Sequence, residues 1–490
     1  MAVLGAVPFS NIIRISPSSQ VPIRSNFNPR KYASICLPNG FRLQPFPIII
    51  IPTFLYLYSS IFPSSFPKTI DFAFAPTEFE EDMENVVDVL VVGAGISGLT
   101  TALALHRLGI RSLVLESSGD LRITGFALSL WTNGWKALDA VGIGDSLRQI
   151  HDQLDGIMTT SMISGDKTSE LSFPAPEEGG VRCVRRKFLL EFLAKELPSG
   201  TIKFSSKVVA IEESGLLKLV HLADGTSIKT KVLIGCDGVN SVVAKWLGFK
   251  APAFSGRSAV RGCLELKSNH NFEPKMSQFV GEGVRAGIIP CDDKTLYWFF
   301  TWTPSAEEKE MEENPGKLKQ LVLSKLGKMP DAARAVIEET EVSCFQPAAL
   351  RFRPPWELMW GNIVKGNVCV AGDALHPMTP DLGQGGCAAL EDGVVLARCV
   401  GEALLRKPSS QDEEKAAREQ HEQVETGLRK YAAERKWRSI ELIGLAYMVG
   451  RMQQSSGVFA KLMRDKILSK FLVGLLLRNA KFDCGKLTSL

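Results

Sequence analysis

An α/β fold, with a discontinuous Rossmann-like domain, an antiparallel-sheet domain inserted into it and a helical C-terminal region, is what three features of the 490-residue sequence predict. A β-branched run at 86–92 ends in a glycine-rich turn that opens a helix. Two further buried-strand runs, 232–235 and 368–371, lie far apart, yet each leads into an aspartate, Asp237 and Asp373. Between them, 251–345 holds short aromatic-rich runs bounded by turn residues, the signature of an antiparallel sheet. Composition agrees: 45% hydrophobic and 22% charged is an ordinary globular chain of two or three domains, which excludes disordered, collagen-like and small disulfide-stapled classes. The 57 basic residues stand against 53 acidic ones without a basic block, so no nucleic-acid partner is expected.

The first seventy residues stand apart. They contain no Asp or Glu, while Arg14, Arg24, Arg30, Lys31, Arg42 and Lys68 are basic and Ser and Pro recur. This is the composition of an organelle transit peptide, and a chloroplast location is expected. The uncharged stretch 43–67 is long enough to raise a membrane span, but Pro45, Pro47, Pro52, Pro63 and Pro67 interrupt it. Each proline costs a helix about 3 kcal/mol, so no span is expected. Met83 opens directly onto the first strand; if it is the true start, 1–82 is an extension and the protein is cytoplasmic. The expected domains are 1–82 as this extension, 83–250 with 346–400 as the nucleotide-binding domain, 251–345 as the substrate sheet and 401–490 as the helical region.

Residues 86–116 read as strand, turn, helix, strand. Gly93, Gly95 and Gly98, with Ile96 and Ser97 between them, form GxGxxG. The first glycine permits the tight turn, the second lets backbone approach a pyrophosphate and the third lets the helix pack close to the strand. Glu116 ends the second strand, placed to accept both ribose hydroxyls of an adenosine. One such turn does not choose between NAD and FAD. Downstream, Asp237-Gly238 and Gly372-Asp373 deliver carboxylates at strand ends, where ligands of open α/β sheets bind. After the second, 378–386 is another glycine-rich entry to a helix, able to set backbone N–H groups beside a phosphate or an electron-rich ring. His106, His151, His221, His270 and His421 share no ligand spacing, and the ten cysteines form no C-x-x-C pair, so no metal site is expected.

GxGxxG with Glu116, the Asp237-Gly238 segment and GDAxHPxxPxxGQG at 372–385 together resemble the single-component FAD-dependent aromatic hydroxylases, flavoprotein monooxygenases of the p-hydroxybenzoate hydroxylase type. The likeness runs over 86–400. It is most similar to the plant branch resembling salicylate and urate hydroxylases, with zeaxanthin epoxidase more distant. The resemblance implies FAD as cofactor, NADPH or NADH as co-substrate, and O2 together with a small-molecule substrate as partners. Its activity would be hydroxylation or epoxidation of a small ring-containing or conjugated metabolite through a flavin hydroperoxide. It assigns the pyrophosphate to Gly93, Gly95 and Gly98, the ribose to Glu116, and a cofactor contact to Arg186, with Arg185 one residue away. It also assigns the ribityl chain to Asp373, the reactive face to Pro380, and backbone N–H groups for the flavin ring to Gly383, Gln384 and Gly385. Asp237 and Gly238 would serve the FAD phosphate and the coupling to nicotinamide. The family's arginine after that motif is replaced by Ala244. A reductase without oxygen insertion and a non-catalytic FAD-binding protein are the alternatives.

In the inserted sheet, the aromatic run 295–302 reads as core, and a helix is expected at 315–326. Arg257 and Arg261 are candidates for an acidic substrate, against the plainer reading of exposed strand arginines. His376 is a candidate catalytic group, though Pro377 beside it favours a loop-shaping role. The mixed-charge run 412–438 reads as a solvated helix face, and 459–477 as an amphipathic helix docked on the body or resting on a membrane surface.

Overall fold

The computed structural model describes residues 86–122, 126–173, 180–454, 474 and 477–487, with the segments 12–15, 32–35, 46–47 and 70–74. The chain forms two compact units, Met1–Val86 and Val87–Leu490. In the first, the described strands Ile12–Ile15, Tyr32–Ile35, Phe46–Pro47 and Ile70–Phe74 pair antiparallel. Most of the expected transit peptide and nearly all of 459–477 lie outside the described residues.

From its first residue, Val87, the second unit takes in β1 (Val86–Val92), then α1 (Ile96–Arg107) and β2 (Ser112–Leu115). Both strands run parallel, Val89 beside Ser112, and their inner ends are buried on both faces, as the β-branched composition of parallel strands requires. A small sheet follows from β3 (Ala127–Leu130), packed under α2 (Thr132–Ala140). Next come β4 (Gly156–Ser161), β5 (Lys167–Ser172), β6 (Val181–Arg185) and α3 (Arg186–Lys195). Then β7 (Ile202–Lys203), β8 (Val208–Ser214), β9 (Leu217–Leu222) and β10 (Ser227–Gly235) complete the first pass of the nucleotide sheet, in the order β7-β2-β1-β10-β9-β8.

The chain then leaves for β11 (Ala253–Glu265), β12 (Lys275–Val280), β13 (Val284–Asp292) and β14 (Thr295–Trp302), with α4 (Pro315–Ser324) and α5 (Asp331–Glu339) behind them. It returns through β15 (Gln346–Phe352) to β16 (Val368–Val370), which pairs parallel with the end of β10, Leu233 beside Val368. Two long helices, α6 (Gly385–Leu405) and α7 (Glu413–Gln454), close the unit.

The inserted sheet has seven strands in the order β5-β4-β12-β13-β14-β11-β15. Strands β4 and β5, expected in the first nucleotide segment, and β15, expected in the second, therefore belong to it instead. Strand β4 is parallel to β12, and β15 is antiparallel to β11. These are long-range pairings that local pattern cannot announce. Side chains alternate along β14: Leu296, Trp298, Phe300 and Trp302 pack with α4 and α5 in one buried cluster, whereas Tyr297 joins the core of the nucleotide half. The aromatic run is thus core, as its composition suggests. By register, Arg261, Phe299 and Gly287 lie on the Tyr297 face, which looks toward the nucleotide half.

The run 412–438 is not simply a solvated face. Val424, Leu428, Tyr431, Arg435 and Ser439 of α7 are buried, and the helix lies along α6. The spacing 424, 428, 431, 435, 439 is a helical stripe, but its charged member concealed it.

Candidate functional site

Three loops meet at the C-terminal edge of the nucleotide sheet, and their glycines say why. Gly93 has φ +102°, and a Cβ there would lie 2.5 Å from the Cys236 carbonyl oxygen. A Cβ on Gly98 would lie 1.9 Å from the Gly93 carbonyl oxygen, and one on Gly372 2.8 Å from the Ser97 Cβ. These three glycines hold the first turn against both the Asp237 and the Asp373 loops. Gly95 differs: a Cβ there would meet nothing within 4 Å, and its φ of −83° suits any residue. No neighbour among the described residues demands glycine at 95, while a ligand approaching the backbone at the N-terminus of α1 would. The residues present thus fit a pyrophosphate at this turn.

Around the turn, Glu116 is buried, its Oε2 accepting the Ala94 N–H (2.9 Å) and its Oε1 the Ser118 N–H (2.9 Å). Arg122 reaches Oε1 at 3.2 Å. Asp237 caps the short helix Val242–Trp246: it accepts from the Ser241 hydroxyl and the Val242 N–H (2.7 Å), while Ser241 accepts the Ala244 N–H (2.8 Å). Burial raises the Asp237 pKa above its ordinary value. The helix after the Asp237-Gly238 segment is therefore fixed by Ser241, without the arginine that Ala244 replaces.

Arg185 and Arg186 separate clearly. Arg185 turns to the inserted sheet, reaching Thr295 Oγ1 (3.4 Å), Glu265 (3.4 Å) and Asp292 (3.7 Å). Arg186 feels the charge of Asp373, and its Nε is buried with no hydrogen-bond partner among the described residues. Burial pulls its pKa down, and Asp373 opposes this. Asp373 and Pro380 are exposed, Gly383 (φ +62°) and Gly385 are half-buried, and Gln384 is buried. Within the glycine-rich stretch Gly383 and Gly385 are thus partly open, while the Gln384 side chain is held by the Asn133 amide (2.9 Å).

His376 is fully buried, its Nε2 2.6 Å from Asp392 Oδ2. It anchors the loop rather than facing a substrate. Asp392 also accepts the Gly372 N–H (2.6 Å) and, on Oδ1, the Arg435 Nε–H (2.6 Å). Burial alone would raise this carboxyl, but His376 and Arg435 outweigh it and hold its pKa at about 2. Its neighbour Glu391 meets Arg435 (2.7 Å), Arg438 (2.9 Å) and the amide of Asn133. Arg353 donates to the carbonyls of Leu375 (2.9 Å) and Ala374 (3.1 Å). The glycine–aspartate loop is therefore held from beneath by buried charge.

Arg257 departs from both readings made of it. It is 3% exposed and grips Asp381 through two contacts, 2.6 and 3.0 Å, while Arg285 meets the same carboxylate at 3.2 Å. The sheet thereby grasps the turn that begins at Pro380. Arg261 makes no ion pair among the described residues. Sequence reasoning missed Asp381, Asp392, Glu391, Arg435 and Arg438; two adjacent acids within an apolar helix, matched by arginines on a later apolar stripe, were the available signal.

Against known proteins, the family described as FAD binding domain matches residues 86–427. The chain belongs to this FAD-binding monooxygenase family. Monooxygenase 2 of Arabidopsis thaliana is 54% identical over 404 residues, which is 82% of this chain and 99% of that protein. An FAD-dependent urate hydroxylase of Klebsiella pneumoniae is 30% identical over 317 residues, 63% of this flavoprotein and 79% of the relative. Among solved structures, Klebsiella pneumoniae HpxO with FAD and uric acid superposes with a TM-score of 0.67 at 25% identity, covering 80% of this chain and 96% of that one. Among the described residues no helix is long and apolar enough to cross a membrane, and no group of residues could hold a metal ion.

Proposed function

We propose that this flavoprotein uses NADPH or NADH and O2 to hydroxylate a small, ring-shaped, anionic metabolite. When bound, FAD supplies the redox chemistry, passing electrons from the nicotinamide to O2; the protein's own work is binding, orientation and exclusion of water. The glycine turn with Gly95 and the α1 N-terminus would take the pyrophosphate and Glu116 the adenosine ribose. Arg186 and Asp373 would take the sugar chain, and the backbone of Gly383, Gln384 and Gly385 the ring. Asp237 and Gly238 would stand beside the phosphate.

The observation that carries the substrate reading is Arg261. Its guanidinium lies on the sheet face toward the nucleotide half, beside Phe299 in register, with Tyr297 within electrostatic reach. A cation with an aromatic neighbour on that face suits a flat anion such as a carboxylate-, enolate- or urate-like ring. The relatives named for urate hydroxylation, and the neighbour holding uric acid, support the same class.

The test begins with the purified, FAD-loaded protein mixed anaerobically with NADPH or NADH, following bleaching of the flavin band. A panel of ring acids, urate and salicylate among them, is then turned over under isotopically labelled O2. Flavin reduction with label in the product supports the proposal. Nicotinamide consumption without label in any product would favour a reductase and overturn it.

A further inference from the structure

Three buried polar atoms at the Thr379–Gln384 stretch have no hydrogen-bond partner among the described residues: Trp131 Nε1, Gln384 Nε2 and Thr379 Oγ1. Their residues are 2%, 1% and 1% exposed. The family resemblance singled out neither Trp131 nor the Gln384 side chain. Trp131 abuts this stretch, since a Cβ on Gly383 would lie 3.4 Å from its Nε1.

Both donors are held in orientation. The Trp131 backbone N–H donates to Cys387 Sγ (3.4 Å), and its ring meets Phe173 edge-to-face at 5.5 Å. Gln384 is set by a relay that starts with charge. Glu391, clamped by Arg435 and Arg438, is an ionised carboxylate and can only accept. Asn133 must therefore turn its amide nitrogen to Glu391, and that same nitrogen donates to Gln384 Oε1 at 2.9 Å. With its oxygen so engaged, Gln384 presents its NH2 group elsewhere. Two buried N–H donors are thus fixed by the fold with no acceptor among the described residues, although buried polar groups are ordinarily bonded. Buried donors fixed in place beside a glycine-rich turn are what a ring bearing carbonyl oxygens needs.

We infer that Trp131 and the Gln384 side chain are ligand-binding groups of this site, donating their N–H groups to carbonyl oxygens at the pyrimidine end of the flavin ring. Asn133 is then a positioning residue that acts through Gln384. This inference rests on the reading that FAD seats on the Gly383–Gly385 turn. A carbonyl or carboxylate oxygen on the substrate would offer the same acceptor chemistry, and the measurements separate the two.

The experiment uses the full-length protein, stripped of flavin, in the wild-type, Trp131→Phe and Gln384→Met forms. FAD is titrated against each by quenching of its fluorescence, and the flavin midpoint potential is measured in the reloaded proteins. Each substitution keeps the bulk; Trp131→Phe removes only the N–H, while Gln384→Met also removes the Oε1 that accepts from Asn133, whose nitrogen keeps Glu391 as acceptor. The expected result is a dissociation constant for FAD raised roughly fivefold in each variant, as one net hydrogen bond implies. The midpoint potential should move to a more negative value, and thermal unfolding of the flavin-free Trp131→Phe protein should be unchanged. Asn133→Leu should reproduce the Gln384→Met shift in potential and leave Trp131→Phe additive to it. Unchanged FAD binding and potential in both variants overturn the inference. So does unchanged FAD binding with weakened binding of urate or salicylate, which assigns the donors to substrate. Wild-type protein that takes up no FAD overturns the cofactor reading beneath it, a failure distinct from a wild type that binds FAD with variants that bind equally well.

Discussion

Replacing Arg435 with methionine tests whether buried charge holds the glycine–aspartate loop in place. Arg435 is fully buried, with Asp392 at 2.6 Å from its Nε, Glu391 at 2.7 Å from its NH1 and the Ala388 carbonyl at 3.2 Å from its NH2. Methionine fills much of the space but leaves Glu391 to Arg438 and the Asn133 amide, and Asp392 to His376 and the Gly372 N–H. Breaking a buried pair from one side costs about 3–5 kcal/mol, a large part of the roughly 5–15 kcal/mol that separates folded from unfolded protein.

A pH signature accompanies that loss. Asp392 is depressed from its ordinary 3.8 to about 2, and the shift corresponds to about 2 kcal/mol. A depressed acid contributes stability that is present above its unfolded pKa and lost as pH falls through its folded pKa. Wild-type protein should therefore lose this contribution between about pH 4 and pH 2, whereas the methionine variant, which keeps the larger His376 share but has lost that of Arg435, should show a flatter acid limb. Guanidinium unfolding of the flavin-free protein at pH 7 and at pH 3 measures both. A destabilisation under about 1 kcal/mol at pH 7, or an acid limb identical to wild type, would refute the reasoning.

Two glycines should behave oppositely. Gly98→Ala places a Cβ 1.9 Å from the Gly93 carbonyl oxygen and should destabilise by about 3 kcal/mol or more, read by denaturant midpoint. Gly95→Val places its Cβ in open space and should fold, at no more than about the 1 kcal/mol cost of a poorer N-cap, while losing FAD; a variant retaining full flavin would sink the Rossmann assignment. Asp381→Asn withdraws the carboxylate shared by Arg257 and Arg285 and should cost about 3–5 kcal/mol in the same unfolding assay. Arg261→Gln should weaken binding of ring acids about tenfold or more with FAD affinity unchanged, measured by the perturbation of the flavin spectrum. Residues 1–82 fused to a fluorescent protein should direct it to chloroplasts in a plant cell; a diffuse cytoplasmic signal would favour Met83 as the start.

Local signals made the nucleotide half readable. The strand at 86–92, its turn and the helix after it are specified within a few residues by hydrophobicity and glycine, and they fold as the pattern dictates. The aromatic run 295–302 likewise became the expected strand, with Trp298 and Phe300 in a core. What stayed hidden was set by partners distant in sequence. Residues 156–161 alternate too weakly to reveal that they lie along 275–280. Arg257 looked like any strand arginine because nothing near it announces Asp381, 124 positions later. Glu391 and Asp392 sit in an otherwise apolar helix, and only Arg435 and Arg438, one helix on, explain how they are tolerated.

A ribosome makes this protein from the N-terminus, so the order of its contacts in sequence is also an order in time. The turn at Gly93 is made early, but β16, which completes its sheet, comes after the whole inserted domain. The arginines that neutralise Glu391 and Asp392 emerge later still, in the last eighth of the chain. Until then two carboxylates must stay solvated, and α6 cannot bury its charged turn. Assembly of the flavin site should therefore wait for residue 435, and a nascent chain stalled before it should hold the glycine turn but no competent pocket.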